Sequence, residues 1–195
     1  MSSYCYLLLL LATFSAVVTA QRPSFGRCPS MNNLPAVELH KLKGQWYEVE
    51  RSFYMFELHR KCIGVYIQPQ GKVAKLTTTF KNRITDNTGT DEATATQYGN
   101  NSPKLRVIVE GSMSDPIRRA LPGSGDYYVL ATDYDNYAVI YSCSNMASLL
   151  HADLVWVLSR ERELSPKFRV DIYDAMIKHG LKSDILTLTN QKSCS

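Results

Sequence analysis

The stretch Gly44-Gln45-Trp46-Tyr47-Glu48 opens the first of several short β-prone runs in this sequence. A glycine at the start of a strand lets another part of the backbone approach closely, and the tryptophan two residues later supplies a large apolar ring. Successive strand side chains point to opposite faces, so Trp46 shares one face with Glu48 and Glu50. Whatever Trp46 packs against is therefore expected on the side of the strand that also carries both glutamates.

Eight β-prone runs follow one another along the chain, separated by short turn-rich segments. They occupy residues 47–53, 62–68, 73–80, 90–98, 105–109, 127–132, 137–143 and 153–160. Short strands at regular spacing are typical of an all-β sandwich or barrel. Closure removes exposed strand edges, and eight strands leave room inside for one small ligand, so we predict an eight-stranded antiparallel up-and-down β-barrel. Periodicity alone leaves a sandwich with the same number of strands open.

One segment after the last run carries helical signals. Ser165 can cap a helix, Pro166 suits its first turn and Gly180 suits its C-terminal end. Apolar residues recur between them at helical spacing: Phe168, Ile172, Ala175 and Met176. We predict one amphipathic helix packed on the barrel, followed by a short strand at residues 185–189.

Residues 1–20 have the character of a secretory signal peptide, because an apolar segment there ends in small side chains. We predict cleavage before Gln21, a single domain over residues 21–195, and secretion to the extracellular space. The net charge of +4 is spread without a basic run, so the sequence offers no electrostatic footprint for nucleic acid.

The cysteines indicate an oxidising compartment. Of the 5 cysteines, Cys5 lies in the predicted signal peptide, which leaves Cys28, Cys62, Cys143 and Cys194. An even number in a secreted chain is expected to form two disulfides, and the residues alone leave three pairings open. None of the four has the close spacing of a zinc site, so we expect no metal.

Three motifs stand in order along the chain. The first is the stretch 44–48, the second is Thr132-Asp133-Tyr134 between two strands, and the third is Arg160 at the end of the last strand. With these motifs the sequence resembles the lipocalin family over nearly all of the chain after the signal peptide. Residues 130–143 and 151–160 are most similar to the subgroup that contains apolipoprotein D and the insect Lazarillo and bilin-binding proteins.

The resemblance implies roles for the motif residues and the cysteines. Gly44, Trp46 and Arg160 are expected to seal the narrow end of the barrel, with the guanidinium stacked on the indole. In this subgroup the N-terminal cysteine pairs with the one that ends the seventh strand, and the second-strand cysteine pairs with the tail. Carried over residue by residue, this pairs Cys28 with Cys143 and Cys62 with Cys194.

The resemblance also implies a ligand pocket inside the barrel, with Trp156 facing the ligand. Glu50 lies on the Trp46 face and is predicted to point into the cup unless a bulge turns it outward. Alternation assigns further wall residues, and a register error of one residue would turn any of them to the other face. These candidates are Leu76, Phe80, Leu105, Val107, Tyr128, Tyr137, Leu154 and Phe53.

These features predict a secreted carrier that holds a fatty acid, retinoid, sterol or similar lipid without a cofactor. A bilin or other pigment carrier is the alternative, because bilin-binding proteins share the motifs. An enzyme is disfavoured, since the lipocalin branch that isomerises a prostaglandin uses a free thiol, and the four cysteines here are assigned to disulfides. We expect a monomer or a weak oligomer.

Two loops carry further predictions. Residues 53–58 are unusually apolar for a connection at the open end of a barrel, which predicts a lid or a transient contact with a membrane or lipoprotein surface. A loop that folds down into the mouth is the alternative. Asn100 begins an N-glycosylation sequon in a predicted surface turn, and Pro103 follows the sequon directly.

Overall fold

A computed structural model describes residues 24–111, 124–146 and 149–194, so the predicted signal peptide lies outside the described residues. Within these described ranges, one helix, α1 (Pro166–Lys178), and three short 3-10 turns, Leu39–Leu42, Met55–Glu57 and Ser183–Ile185, accompany the sheet. The strands are β1 (Ser24–Phe25), β2 (Gly44–Ser52), β3 (Arg60–Gln70), β4 (Val73–Asn82), β5 (Thr88–Gln97), β6 (Lys104–Val109), β7 (Gly125–Thr132), β8 (Tyr137–Met146), β9 (Leu150–Ser159) and β10 (Leu186–Leu188).

The eight long strands, β2 to β9, close into one antiparallel barrel. Each pairs with the next along the chain, and β9 pairs back with β2, for example at Glu48 opposite Leu158. The eight runs predicted from the sequence correspond one to one with these strands, and α1 lies where the capping residues indicated. The predicted up-and-down barrel is therefore confirmed, and the sandwich is excluded.

Trp46 seals the narrow end of the barrel. Its side chain is fully buried, and its indole Nε1 donates to the Leu42 carbonyl at 2.8 Å. The Arg160 guanidinium carbon lies 3.7 Å from the centroid of the Trp46 ring system. The guanidinium donates to four backbone carbonyl oxygens, those of Lys41, Lys43, Gln45 and Tyr134. Its donors are thus satisfied by the chain that it covers.

Gly44 and the second motif fit around this plug. Gly44 has φ +106, and a Cβ there would lie 3.3 Å from the Arg160 guanidinium. Asp133 accepts hydrogen bonds from the backbone N–H groups of Asn136 and Tyr137, which fixes the turn between β7 and β8. That turn brings the Tyr134 carbonyl to Arg160. The motif residues are structural, as the resemblance implied.

Bulges decide which side chains face the inside of the barrel. One shift lies in the pairing of β3 with β4, between Lys61 and Gly64, and two others affect predicted wall residues. In β2 the pairing with β9 shifts between Glu48 and Glu50, and in β7 the pairing with β8 shifts between Val129 and Ala131. A bulge inserts one unpaired residue, so the side chains beyond it change faces relative to simple alternation. Glu48 consequently faces inward while Glu50 faces outward.

The outward face of the barrel wall carries α1. Ile172 and Met176 of α1 are fully buried against wall residues such as Val139 and Val155. Arg169 forms an ion pair with Glu50, and the Tyr173 hydroxyl donates to Glu50 at 3.0 Å. Glu50 is 2% exposed, so these polar contacts between α1 and the barrel wall are buried inside an interface that is otherwise largely apolar. Among the described residues, none of the helices has both the length and the apolar character that a membrane crossing requires.

Both predicted disulfides are present, Cys28–Cys143 and Cys62–Cys194. The second bridge fastens the segment after β10 into a gap between β2 and β3. The Thr189 N–H donates to the Val49 carbonyl of β2, and the Cys62 N–H of β3 donates to the Asn190 carbonyl. Residues after the helix are therefore part of the barrel wall.

Candidate functional site

The barrel encloses a cavity of about 480 Å³ above the Trp46 plug. This volume lies within the range of small-molecule sites in proteins, roughly 300–1,000 Å³. Most of its wall is aliphatic, and the lower part is formed by Leu39, Leu42, Ile67, Ala74, Ala95, Leu105, Val107 and Leu158. An enclosed apolar space of this size can hold a hydrophobic molecule away from water.

Aromatic side chains form one side of the cavity around Trp156. The Tyr127 ring stacks on the indole at a centroid distance of 5.5 Å, and the Tyr54 ring meets it edge-on at 6.0 Å. Phe56 also lines the cavity and packs edge-on against Tyr54 at 5.5 Å. A flat or extended apolar ligand would therefore contact ring faces and ring edges on this side.

Four of the predicted wall residues line the cavity: Trp156, Leu76, Leu105 and Val107. Three other candidates, Phe80, Leu154 and Phe53, are half-buried but are not part of its lining. Phe80 instead supports Arg60, whose guanidinium carbon lies 3.7 Å from the ring centroid. Alternation placed these side chains on the inward face but could not tell how far up the wall the cavity extends.

Three predicted wall residues are corrected by the structure. Tyr128 and Tyr137 face outward and pack with the core beneath α1, where the Tyr137 ring lies 5.8 Å from that of Phe168. Tyr127, not Tyr128, lines the cavity. Glu50 faces α1 instead of the cup, because the bulge in β2 turns it outward. Each error is a displacement by one residue in a pattern of period two.

A charged network beside the cavity was not predicted. The Arg51 guanidinium donates to Glu48 at 2.6 Å and to the Glu57 carbonyl at 2.7 Å, and its Nε lies 3.7 Å from the Glu57 carboxylate. The Trp156 indole N–H also donates to the Glu57 carboxylate, at 3.3 Å. Glu48 and Glu57 both line the cavity. Two carboxylates thus share one guanidinium in a buried setting.

Burial changes the acidity of both carboxyl groups. Removal from water raises the pKa of Glu57 to about 7, and the neighbouring charge of Glu48 adds to the rise. The pKa of Glu48 is also raised by burial, more than Arg51 and the Thr189 hydroxyl lower it. Desolvation disfavours the charged form, and one guanidinium cannot compensate for two carboxylates. This side of the cavity therefore holds its second negative charge only at a cost in free energy.

A second ion pair stands at the mouth. Arg60 donates to the Asp91 carboxylate at 2.5 Å, and both residues contribute to the cavity lining. The Arg60 guanidinium also stacks on Phe80. The two opposite charges balance each other, so this pair adds no net charge to the site.

Residues 53–58 place some of their side chains in the mouth and leave others exposed. Tyr54 is 9% exposed, whereas Phe56 and Leu58 are 53% and 46% exposed. The loop thus folds partly into the mouth, as in the alternative considered for it, and keeps two apolar side chains on the surface. Asn100 lies in an exposed turn, and its glycosylation stays a prediction.

One group of residues in the described part of the chain has the spacing of metal ligands: Cys143, His151 and Asp153. The Cys143 sulfur belongs to the Cys28–Cys143 disulfide and has no thiolate to offer. His151 and Asp153 instead pair with each other at 3.2 Å. This group carries no metal-site argument.

Comparisons with known proteins agree with the architecture. A model of the Lipocalin / cytosolic fatty-acid binding protein family matches residues 43–193. Apolipoprotein D of Cavia porcellus is 32% identical over 190 residues, which cover 96% of this chain and 95% of that protein. The Lazarillo protein of Schistocerca americana is 26% identical over 151 residues, 77% of this chain and 68% of that one.

A solved structure extends the likeness to three dimensions. Insecticyanin from the tobacco hornworm, Manduca sexta, matches with a TM-score of 0.75 and 19% identity, covering 89% of this chain and 90% of that one. At that identity the likeness concerns the fold alone.

Proposed function

The chain belongs to the Lipocalin / cytosolic fatty-acid binding protein family, and we propose that it is a carrier that holds a small hydrophobic ligand non-covalently inside its barrel. The observation that carries the proposal is the apolar cavity of about 480 Å³ between the Trp46 plug and the Trp156 aromatic side. Similarity to apolipoprotein D along 96% of the chain supports a lipid as the ligand. No cofactor enters the proposal.

Burial of apolar surface supplies the binding energy in this proposal. Each Å² of apolar surface removed from water contributes roughly 25 cal/mol, before the cost of immobilising the ligand is subtracted. The dry wall of the barrel gives such a surface from several sides at once. The affinity for an uncharged lipid is therefore expected to fall when the volume of the cavity is reduced.

The test fills the cavity from one wall position. Ala93 lines the cavity, whereas Thr96 on the same strand is exposed on the outer wall. We expect Ala93→Phe to abolish quenching of Trp156 fluorescence by retinol, cholesterol and oleic acid, while Thr96→Phe binds like the unaltered protein. Trp156→Phe leaves Trp46 as the remaining tryptophan and serves as the control for the origin of the signal.

Two outcomes would contradict the carrier proposal. One is that none of these lipids binds to the folded protein. The other is that Ala93→Phe and Thr96→Phe bind the lipids equally well, because binding would then lie outside the cavity.

A pigment carrier is the second candidate, because the chain shares the three sequence motifs with bilin-binding proteins. A tetrapyrrole carries propionate groups, which need cationic partners inside the pocket. Titration with biliverdin in the same fluorescence assay, followed by an absorbance spectrum of the complex, separates the two candidates. A red-shifted bound spectrum with tight binding would favour the pigment over a lipid.

The carrier proposal assigns the protein no chemistry on its ligand. The four cysteines after residue 20 are engaged in the two disulfides, so the described chain offers no thiolate inside the barrel. Titration with a thiol reagent on the folded, non-reduced protein is expected to find no reactive cysteine. A reactive thiol would reopen the enzymatic alternative.

The proposal includes secretion, weak self-association and a surface role for residues 53–58. Two disulfides support an oxidising compartment. N-terminal sequencing of the secreted product is expected to begin at Gln21, and gel filtration to give a monomer or a weak oligomer. A Phe53→Ser, Phe56→Ser double variant is expected to co-sediment less with liposomes; equal sedimentation would remove the membrane contact.

A further inference from the structure

The polar groups that face the cavity from its Trp156 side offer more acceptor atoms than donors. We call Glu48, Tyr54 and Glu57 the acceptor cluster; all three line the cavity. Glu48 is 2% exposed, and its Oε1 accepts hydrogen bonds from Arg51 and Thr189. Among the described residues, no group donates to its Oε2, and the Tyr54 hydroxyl has no hydrogen-bond partner either. Buried polar atoms normally have hydrogen-bond partners, so these two atoms are available to a bound ligand.

The donors around the cluster are already occupied. Arg51 donates to Glu48 and to the Glu57 carbonyl, and the Trp156 N–H donates to the Glu57 carboxylate. Arg60 is held by Asp91. A ligand that brings a carboxylate would find no free N–H group among these side chains; the Tyr54 hydroxyl could donate to it, but its negative charge would add to those of Glu48 and Glu57.

The charges lead to the same conclusion. Glu48 and Glu57 together have the one guanidinium of Arg51 as a close cation, while Arg60 and Asp91 balance each other. With every group ionised, the network carries one excess negative charge in a site that is largely shielded from water. One additional cation would complete it.

We propose that the cavity selects a hydrophobic ligand whose polar end is a protonated amine, and that the ammonium lies against Glu48, Tyr54 and Glu57. The hydrocarbon body then fills the aliphatic part of the cavity above Trp46. An ammonium offers three donors and no acceptor, which matches the cluster's free acceptor atoms and its excess charge. The inference rests on the proposed carrier function and names the ligand class for that same site.

The test compares three probes of equal chain length: dodecylamine, dodecanol and dodecanoic acid. At about pH 8 the amine is protonated and the acid ionised, so head-group charge is the variable. Calorimetric titration below the micelle concentration is expected to give an affinity for the amine at least about tenfold above that for the acid, with the alcohol between them. A charge-assisted hydrogen bond is commonly worth about ten- to a hundredfold in affinity.

Variants of the cluster connect the preference to these residues. Glu57→Gln keeps the size of the side chain and an acceptor for Trp156, and is expected to weaken the amine about tenfold and the alcohol less than about twofold. Tyr54→Phe removes only the hydroxyl and is expected to weaken the amine by a smaller factor. Glu110→Gln is the matched control, because Glu110 is exposed on the outer wall, where it accepts a hydrogen bond from Thr94.

The outcomes separate this inference from the carrier function. If dodecanoic acid binds as tightly as dodecylamine, the inference is overturned and the carrier function stands. If Glu57→Gln and Tyr54→Phe both fold and weaken the three probes equally, the cluster only shapes the cavity and the inference also fails. If none of the probes binds to the folded protein, the carrier proposal itself is overturned.

Discussion

The two ends of the barrel use the same chemical group to different effect. At the narrow end the Arg160 guanidinium stacks on Trp46 and donates to neutral backbone carbonyls. Beside the cavity the Arg51 guanidinium pairs with Glu48 and contacts Glu57, so one cation serves two carboxylates. At the narrow end every donor of the guanidinium has an acceptor in the protein. Beside the cavity, hydrogen-bond acceptors and negative charge exceed the donors and positive charge available.

This difference distinguishes polar groups that stabilise the fold from polar groups that can bind a ligand. A half-buried cation such as Arg160, whose donors all reach carbonyls, leaves nothing for a ligand to satisfy, and it stabilises the fold. A buried network with unmatched acceptors costs stability in the empty protein and can regain it when a complementary ligand binds. The variants below test that contrast, beginning with the largest expected effect.

Removal of the Trp46 side chain is expected to cause the largest loss of stability. Trp46 is fully buried, and Trp46→Ala should lower the free energy of unfolding by about 3–5 kcal/mol, through lost burial and the cavity that remains. Trp156→Ala is the matched control, because Trp156 is only half-buried and faces a cavity that already exists. Urea unfolding followed by circular dichroism measures both. Equal losses in the two variants would contradict the structural role of the narrow end.

The guanidinium of the plug comes next. Arg160→Lys keeps the charge but cannot span four carbonyls or stack as a plane, so we expect a loss of about 2–3 kcal/mol in urea unfolding. Arg162 is the control: its guanidinium carbon lies 4.4 Å from the Tyr47 ring centroid on the outer surface, and Arg162→Lys should change stability by less than about 0.5 kcal/mol. A tolerated Arg160→Lys would mean that the charge alone seals the barrel.

The carboxyl groups beside the cavity are expected to make the stability of the protein depend on pH. The pKa of Glu57 is raised to about 7, so the folded state binds this proton more tightly than the unfolded state, and the associated stability is lost as pH rises through about 7. The neighbouring charged or titratable groups all remain in Glu57→Gln: Glu48, Arg51, Tyr54, Arg60, Asp91 and Tyr127.

We therefore expect the difference in unfolding free energy between Glu57→Gln and the unaltered protein to grow in favour of the variant from about pH 5 to pH 8. The change should be on the order of 2 kcal/mol. Urea unfolding at several pH values measures it, with Glu110→Gln as the control. A difference that stays constant across this range would contradict the raised pKa.

The smallest effect is expected on the outer wall. Lys75 forms an ion pair of 3.0 Å there with Glu92, and although Glu92 also contributes to the cavity lining, 48% and 43% of the two side chains are exposed. Lys75→Met should alter the unfolding free energy by less than about 0.5 kcal/mol, because water and salt screen such pairs. A larger loss would mean that the contrast between the two ends does not depend on burial.

The strands and the helix were predictable because each carries a local signal, whereas closure of the barrel was predicted from the number of strands and the resemblance to the lipocalin family. Short β-prone runs between turn-rich segments marked all eight strands, and the cap residues Ser165, Pro166 and Gly180 marked α1. Which face of the sheet an individual side chain occupies was harder to predict. Tyr127 and Tyr128 are adjacent tyrosines in the same strand, and no local feature tells which one faces inward. The bulge after Glu48 likewise has no signature in the sequence, so Glu50 was assigned to the wrong face.

The acceptor cluster was missed for a different reason. A glutamate in a predicted loop, such as Glu57, is ordinarily solvated, and only the fold brings it under Trp156 and beside Arg51. The apolar residues 53–58 around it were the one available signal, since an apolar loop is expected to fold inward and would take Glu57 with it. Networks of this kind join residues far apart in sequence, in this case Glu48 and Thr189.

The segment 186–194 has a consequence for the order in which the protein can be made. It fills the gap between β2 and β3, supplies the Thr189 hydroxyl to Glu48, and ends in the bridge from Cys62 to Cys194. The ribosome releases these residues after all eight barrel strands. This segment is therefore the last part of the barrel wall to be synthesised, and the wall between β2 and β3 stays incomplete until the segment has docked and the Cys62–Cys194 bridge has formed.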